Sequence, residues 1–135
     1  LNLGVTAFKN GEYGLALKWF RESAKSNPVP PRATFYVCQT YIAVGKYREA
    51  AKALERGLDN DPRWPAEAFR PRADLYDNDN IEFNDHRDQL AQAQRAEPKN
   101  ADYLFLLGYL AWFDGQRDVA VVHFQQARAL AVDAT

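Results

Sequence analysis

The sequence predicts an all-α fold, a solenoid of four antiparallel helical hairpins. Three kinds of residue recur at nearly the same spacing along the chain. Glycines at predicted turns and alanines on predicted second helices are each separated by 34 and then 70 residues, and prolines that close the units are 34 and 36 residues apart. A period in this range is typical of stacked helical hairpins. The recurring residues are Gly11, Gly45 and Gly115; Ala16, Ala50 and Ala120; and Pro28, Pro62 and Pro98.

These positions divide the chain into units at about residues 1–30, 31–64, 65–100 and 101–134. At 135 residues the chain is long enough to bury a core within one domain. It opens on Leu1, inside a predicted helix and without an initiating methionine. We therefore expect a single repeat domain that is a fragment of a longer protein.

The first unit predicts two helices, at about residues 1–10 and 13–26. Leu3, Ala7 and Phe8 fall on one face of the first helix, which we expect to be buried. Glycine suits the turn between the helices, because it adopts a left-handed conformation without steric cost. The closing proline cannot continue a helix, so the second helix should end before it.

Cys38 distinguishes the second unit, whose helices are predicted within about residues 32–62. Glycine holds the equivalent position in the first and fourth units. We interpret Cys38 as a small buried hydrophobic residue, because a reactive thiol needs exposure and a lowered pKa, and nothing nearby in the sequence indicates either. A lone cysteine cannot form an internal disulfide, and it does not fix the cellular compartment.

The third unit departs from the repeat. Two prolines interrupt its first half, which predicts a short helix at about residues 71–77. We expect Asn80 to cap a second helix at about 81–96, whose apolar stripe begins at Ile81. His86 occupies the position that alanine holds in the other units, so the helices should pack differently here.

The fourth unit is the richest in aromatic residues, with helices predicted at about 101–113 and 117–131. Within this unit, the stretch from Leu107 to Phe124 opens with Leu107-Gly108, turns at Gly115 and places Ala120 and Phe124 four residues apart on the second helix. This pattern, repeated with a period near 34, resembles the tetratricopeptide repeat (TPR) signature. The resemblance covers nearly the whole chain. It implies a right-handed α-solenoid and a module for protein binding.

Composition and motifs exclude several classes of function. A net charge of -1 and a pI near 6.1 leave no excess of cations for nucleic acid. The sequence has no apolar run of about 18 residues, so we predict no membrane span. No nucleophile has a matching base and no glycine-rich phosphate loop is present, so we predict neither an enzyme nor a cofactor.

Two features resemble metal sites without meeting their requirements. The run at residues 77–82, DNDNIE, lacks the glycine and the distant glutamate of a calcium loop, so we interpret it as a solvated turn. His86 and His123 have no partner at helical spacing that would complete a ligand set. We therefore predict no metal site.

In stacked hairpins, one face of each first helix lines a concave groove. We expect exposed aromatic, amide and arginine side chains there to bind a protein or peptide partner. For Tyr36, Tyr109 and Trp112, packing against the next helix is the alternative role. The predicted partner-binding residues are Phe35, Tyr36, Gln39, Arg72, Phe105, Tyr109 and Trp112.

The resemblance allows one specific activity to be examined. Family members that hold the acidic C-terminal tails of heat-shock chaperones use lysine, asparagine and arginine at fixed groove positions. Of the five matching positions here, only Arg72 fits, so we expect a more apolar peptide. Those positions are Leu1, Val5, Tyr36, Ala68 and Arg72.

The ends of the predicted stack support an alternative function, structural self-association. Trp19 is larger or less polar than the residues at equivalent positions in the other units. Val121 and Val122 would be uncovered at the other end, because no polar capping helix follows in this sequence. Since contiguous apolar surface usually marks a contact, these three residues are the predicted faces of a homo-oligomer.

Overall fold

The computed structural model describes residues 1–27, 29–30, 32–60 and 69–133, and these contain eight helices and no strand. The predicted all-α class is confirmed, and most helix ends agree with the sequence pattern within two residues. The helices are α1 (Asn2–Lys9), α2 (Tyr13–Ala24), α3 (Ala33–Ala43), α4 (Tyr47–Asn60), α5 (Pro71–Asp74), α6 (Asn80–Ala96), α7 (Ala101–Phe113) and α8 (Arg117–Asp133).

Three hairpins turn on glycine, as the period predicts. Gly11, Gly45 and Gly115 have φ angles of 76°, 78° and 81°. A side chain at such a φ is strained, because Cβ approaches the following carbonyl oxygen. Each turn returns the chain so that α2 packs on α1, α4 on α3 and α8 on α7.

A matched pair of side chains brings the two helices of a hairpin together. A Cβ added at Gly108 on α7 would lie 2.5 Å from Cε1 of Phe124 on α8, so the aromatic ring fills the space that the glycine leaves. Gly4 and Phe20 make the same contact between α1 and α2. The glycine and the aromatic residue of the repeat therefore depend on each other.

Cys38 and Leu54 hold the equivalent positions in the second hairpin. Both are buried, with 0% and 1% of their surface exposed. A larger residue on α3 is thus matched by a smaller one on α4, which conserves volume. Burial raises the pKa of the Cys38 thiol, because the thiolate is disfavoured away from water. The predicted role of Cys38 as a buried core residue is confirmed.

The third unit is irregular, as predicted, and α5 is a single turn. The predicted cap of α6 is wrong by one residue. Asp79, rather than Asn80, accepts hydrogen bonds from the backbone N–H groups of Ile81 and Glu82, at 3.1 and 3.2 Å. Both residue types are good N-caps, so sequence alone does not separate them. Pro65, one of the two prolines predicted to interrupt this unit, lies outside the described residues.

Two apolar residues expected in the core are exposed, Leu3 at 61% and Ile81 at 84%. Successive residues in an α-helix are about 100° apart. Phe83 defines the buried face of α6, so Ile81, two residues earlier, lies on the opposite side. Leu3 lies about 100° from buried Gly4, at the border of the packed face of α1.

The hairpins on either side of the third unit contact each other. α4 packs directly against α7, and α3 contacts α6. Phe69, just before α5, fills the space between them, with its ring centroid 5.5 Å from those of both Phe35 and Tyr36. The core is therefore continuous from the second hairpin to the fourth.

Candidate functional site

Four of the predicted partner-binding residues lie in the core. Phe35, Tyr36, Gln39 and Tyr109 are only 1%, 5%, 0% and 1% exposed. The expectation that they line an open concave groove is wrong, because Phe69 and α7 cover the face of α3 that carries them. The rings of Phe35 and Tyr109 stack with their centroids 6.4 Å apart, so side chains of α3 and α7 meet in the core.

Arg72 is half-buried and engaged within the molecule. Its Nε and Nη2 donate to the two carboxylate oxygens of Asp114, at 2.7 and 3.0 Å. Its Nη1 donates to Oδ1 of Asn80, at 2.8 Å. The paired contact with Asp114 is the geometry in which guanidinium binds carboxylate most strongly. Arg72 therefore joins the third unit to the turn between α7 and α8.

Trp112 and Phe105, the other two predicted residues, are half-buried. The guanidinium of Arg117 lies 4.4 Å from the Trp112 ring centroid, a cation–π contact across the α7–α8 turn. Phe105 lies at the N-terminal end of α7, where it borders open space. Of the two, Phe105 is better placed to contact a binding partner.

An apolar groove of about 380 Å³ opens beside Phe105, between α4, α7 and α8. We call it the α4–α8 groove. Apolar side chains form its floor and charged side chains stand at its edge, as in sites that bury an apolar ligand group. It is lined by Glu55 and Leu58 from α4, Ala101, Asp102 and Phe105 from α7, and Phe124, Ala127, Arg128 and Ala131 from α8.

Local sequence places these side chains on one surface. Asn100 caps α7, its Oδ1 accepting from the backbone N–H of Asp102 at 3.0 Å, which fixes the first turn. Phe105 follows Asp102 by three residues and lies on the same face. On α8 the lining residues recur at spacings of three and four, beginning at Phe124, whose ring centroid is 6.1 Å from that of Phe105.

A chain of hydrogen bonds explains the buried polar residues. Tyr109 donates to Oε1 of Gln39 at 2.7 Å, and Nε2 of Gln39 donates to the Tyr76 hydroxyl at 3.0 Å. The Tyr76 oxygen lies 2.8 Å from Nδ1 of His86. Because that hydroxyl already accepts from Gln39, we infer that it donates its own proton in a hydrogen bond to Nδ1, which leaves His86 protonated at Nε2. Gln39 and Tyr109 are thus core residues with satisfied polar groups.

The chain of hydrogen bonds ends at Glu82, whose side chain is 48% exposed. Nε2 of His86 lies 3.3 Å from Oε1 of Glu82, and the Tyr13 hydroxyl donates to the same oxygen at 2.9 Å. Burial lowers the pKa of His86, while the carboxylates of Glu82 and Asp85 act in the opposite direction. His86 therefore replaces the usual alanine as a link between α3, α6 and the first hairpin.

Within the described part of the chain, no three histidine, cysteine, aspartate or glutamate side chains are grouped to hold a metal ion. Among the helices that the structure describes, none combines the length and apolar character that crossing a membrane requires. Cys38 is buried, so its thiol is not available as a surface ligand.

Comparison with known proteins is consistent with a helical repeat, although no family model matches the chain. A DnaJ homolog subfamily C member 7 homolog from Schizosaccharomyces pombe is 27% identical over 150 residues, across 99% of this chain. The match covers 31% of that protein, so the chain spans about a third of the relative's length. Together with the helical hairpins, this similarity supports a TPR-like helical repeat.

A solved structure, MamA MSR-1 C2, aligns with 100% of this chain and 76% of its own, at 21% sequence identity. The TM-score is 0.41, so the two structures are only loosely similar.

Proposed function

We propose that the chain is a non-catalytic protein–protein interaction module that binds a segment of a partner protein in the α4–α8 groove. The observation that carries this proposal is the groove itself, with an apolar floor of Leu58, Phe105 and Phe124 open to solvent. Stacked helical repeats provide extended binding surfaces, and the similarity to a TPR-like repeat supports this class of function.

The lining of the groove defines the partner segment. Its volume of about 380 Å³ accommodates one large apolar side chain with part of its backbone. Two carboxylates, Glu55 and Asp102, and one guanidinium, Arg128, lie at the edge. A segment that presents a bulky apolar residue between basic residues would complement both the floor and the carboxylates.

A labelled ten-residue peptide with one tryptophan between two arginines is a direct probe, followed by fluorescence anisotropy. Ala131→Lys introduces bulk and positive charge into the groove, and binding should weaken by about tenfold. Ala129→Lys is the matched control, because Ala129 is exposed on the same helix outside the groove. Equal binding by the two variants would show that the peptide does not use this groove.

Self-association is the second candidate, favoured by the exposed valines of α8. Val121 and Val122 are 44% and 50% exposed, whereas Trp19, at the other end, is half-buried. In this alternative, Val121→Glu would convert an oligomer to a smaller species in light scattering, because a buried carboxylate disfavours the contact. A monomeric wild-type chain at high protein concentration would exclude the alternative.

A further inference from the structure

A second groove, between α2, α3 and α4, carries charge opposite to that of the whole molecule. Its volume is about 260 Å³. The chain has a net charge of -1, yet four cations and a single carboxylate line this groove. We call it the basic groove. The cations are Arg21 and Lys25 from α2 and Lys52 and Arg56 from α4, and the carboxylate is Glu49.

The cations form two pairs on opposite walls. Arg21 and Lys25 are four residues apart on α2, as Lys52 and Arg56 are on α4, so each pair projects from one face of its helix. α3 provides the floor between them with Thr34, Val37 and Tyr41, at intervals of three and four residues. The groove therefore has charged walls and a mixed floor.

Gly57 sets how closely α4 approaches this floor. A Cβ at Gly57 would lie 2.6 Å from Oγ1 of Thr34 and 3.0 Å from its Cβ. The close approach holds the α4 wall against α3 and places the floor residues below the cations. The groove is thus a fixed feature of helix packing, whereas its arginine and lysine ends are exposed.

Salt bridges distinguish the four cations of this groove from other cations of the described chain. Among the residues that the structure describes, none of them forms an ion pair, whereas Lys9 and Arg72 pair with Asp77 and Asp114 at 2.7 Å. Two cations four residues apart on a helix repel each other and reduce its stability. Two such pairs facing one groove produce a local positive potential that attracts anions.

We propose that the basic groove binds an acidic segment of a partner protein. Carboxylates of the segment would pair with Arg21 and Arg56 on the two walls, since guanidinium binds carboxylate through paired hydrogen bonds. An apolar side chain between those carboxylates would lie against Val37 and Tyr41. This surface shares no residue with the α4–α8 groove, so the proposal stands independently of the first one.

A protein segment fits this groove better than a nucleic acid does. Nucleic-acid binding usually rests on a broad basic surface that follows many phosphates, and this chain has a pI near 6.1. The cations are confined to a groove of about 260 Å³ with Val37 and Tyr41 on its floor. That combination complements a short stretch of acidic residues around one apolar side chain.

The test uses a labelled twelve-residue peptide of aspartate and glutamate with one central phenylalanine, measured by fluorescence anisotropy at about 50 mM salt. Replacing Arg21 and Arg56 by glutamine should weaken binding about tenfold or more. The matched control replaces Lys18 and Arg48 by glutamine. These exposed cations are on the same helices but outside the groove, so this variant should change affinity less than about twofold.

Circular dichroism of both double variants should match the wild type, because all four side chains are exposed. A peptide with asparagine and glutamine in place of the acids should bind at least about tenfold more weakly than the acidic peptide. Equal weakening by the two double variants, or equal affinity for the acidic and amide peptides, would overturn the proposal. So would a single-stranded RNA that binds more tightly than the acidic peptide and depends on Arg21 and Arg56.

Discussion

The fourth hairpin, formed by α7 and α8, and the irregular third unit hold their helices in place through different kinds of contact. In the fourth hairpin, Gly108 and Phe124 fit together as an apolar pair between adjacent helices. In the third unit, Tyr76 and His86 join helices that are distant in sequence through hydrogen bonds. In a regular repeat, the two helices of one hairpin pack against each other. The degenerate third unit instead acts as a connector between the other units. Its loss of the repeat pattern reflects that change of contacts.

The connector reaches each of the other three units. Lys9 in the first unit pairs with Asp77 at 2.7 Å, Gln39 in the second donates to Tyr76, and Asp114 in the fourth accepts from Arg72. Polar contacts are directional, so they fix the orientation of the third unit more narrowly than apolar burial does. The following four predictions test this division between an apolar hairpin and a polar connector.

The largest effect is expected for Tyr76→Phe, which removes the hydroxyl between Gln39 and His86. Both are buried, and each would lose a hydrogen-bond partner. The free energy of unfolding should fall by about 2–4 kcal/mol, measured by urea denaturation. Tyr103→Phe is the control, because its hydroxyl binds exposed Glu97 and its loss should cost less than about 0.5 kcal/mol. Similar losses in both variants would contradict the connector role.

Gly108→Ala tests the apolar pair, because the new Cβ would overlap the Phe124 ring. We expect a loss of about 1–3 kcal/mol in stability. Gly14→Ala, at a helical glycine with open space around it, should instead stabilise by about 0.5–1 kcal/mol. Adding Phe124→Leu to Gly108→Ala should recover part of the lost stability. At the equivalent positions, the second hairpin pairs Cys38, which is larger than glycine, with Leu54, which is smaller than phenylalanine. A double variant less stable than Gly108→Ala would refute the matched-pair explanation.

Arg72→Lys should destabilise by about 1–2 kcal/mol, because lysine cannot make the paired contact with Asp114. Arg87→Lys is the matched control. Arg87 contacts Asp88 at 3.3 Å on an exposed surface, and its substitution should change stability by less than about 0.5 kcal/mol. Thermal unfolding of the two variants separates a structural arginine from a solvated one.

The pH dependence of stability should report on His86, whose folded-state pKa is lowered by burial. The folded state therefore disfavours the proton that the unfolded state accepts near pH 6.5. Stability from this group is complete above about pH 6.5 and is lost as pH falls through the lower folded pKa, with a slope of at most about 1.4 kcal/mol per pH unit. His86→Gln should flatten the profile below about pH 6.5.

His123 is the comparison for that experiment, because burial also lowers its pKa while its hydrogen bond with Gln126 opposes the change. His123→Gln should leave most of the slope in place. If His123→Gln removed the slope and His86→Gln did not, the polar connector would not be the pH-dependent element.

The sequence predicted the parts of the fold that follow local rules. Glycine turns located the helix pairs, since a positive φ at Gly11 or Gly115 depends only on the residues next to it in the chain. Two of the predicted closing prolines, Pro28 and Pro62, lie outside the described residues. The burial of Cys38 could be predicted because the equivalent position in the first and fourth units is a small residue, glycine. These predictions needed no knowledge of which helices meet across the molecule.

The positions of the binding surfaces were beyond local rules. A repeat pattern implies that α3 faces an open groove, and it carries no signal that α7 packs against α4 or that Phe69 covers α3. Phe35 and Tyr109 were therefore expected at the surface. Phe105, a predicted partner-binding residue, does line a groove. Leu58 and Ala127 also line it, but they lie on second helices, for which the repeat pattern predicts only packing.

Sequence did hold signals for the basic groove and for the polar connector. Cations four residues apart on α2 and α4 mark one face of each helix, although their convergence depends on the α2–α3–α4 packing. His86 at an alanine position marks the connector, but its partner Tyr76 lies in an irregular turn outside the repeat. Two residues that both depart from the repeat pattern can be recognised as partners only when the structure shows that their side chains are in contact.

The hydrogen-bond chain from Tyr109 to Glu82 has a direction, since each member before the last donates to the next. That direction constrains how the sequence can drift. A homologous protein without a hydroxyl at position 76 would leave the amide at position 39 and the imidazole at position 86 without a hydrogen-bond partner, unless both residues were also replaced. We therefore expect positions 39, 76, 86 and 109 to vary together among homologous chains, and apolar residues at one of them to accompany apolar residues at the others.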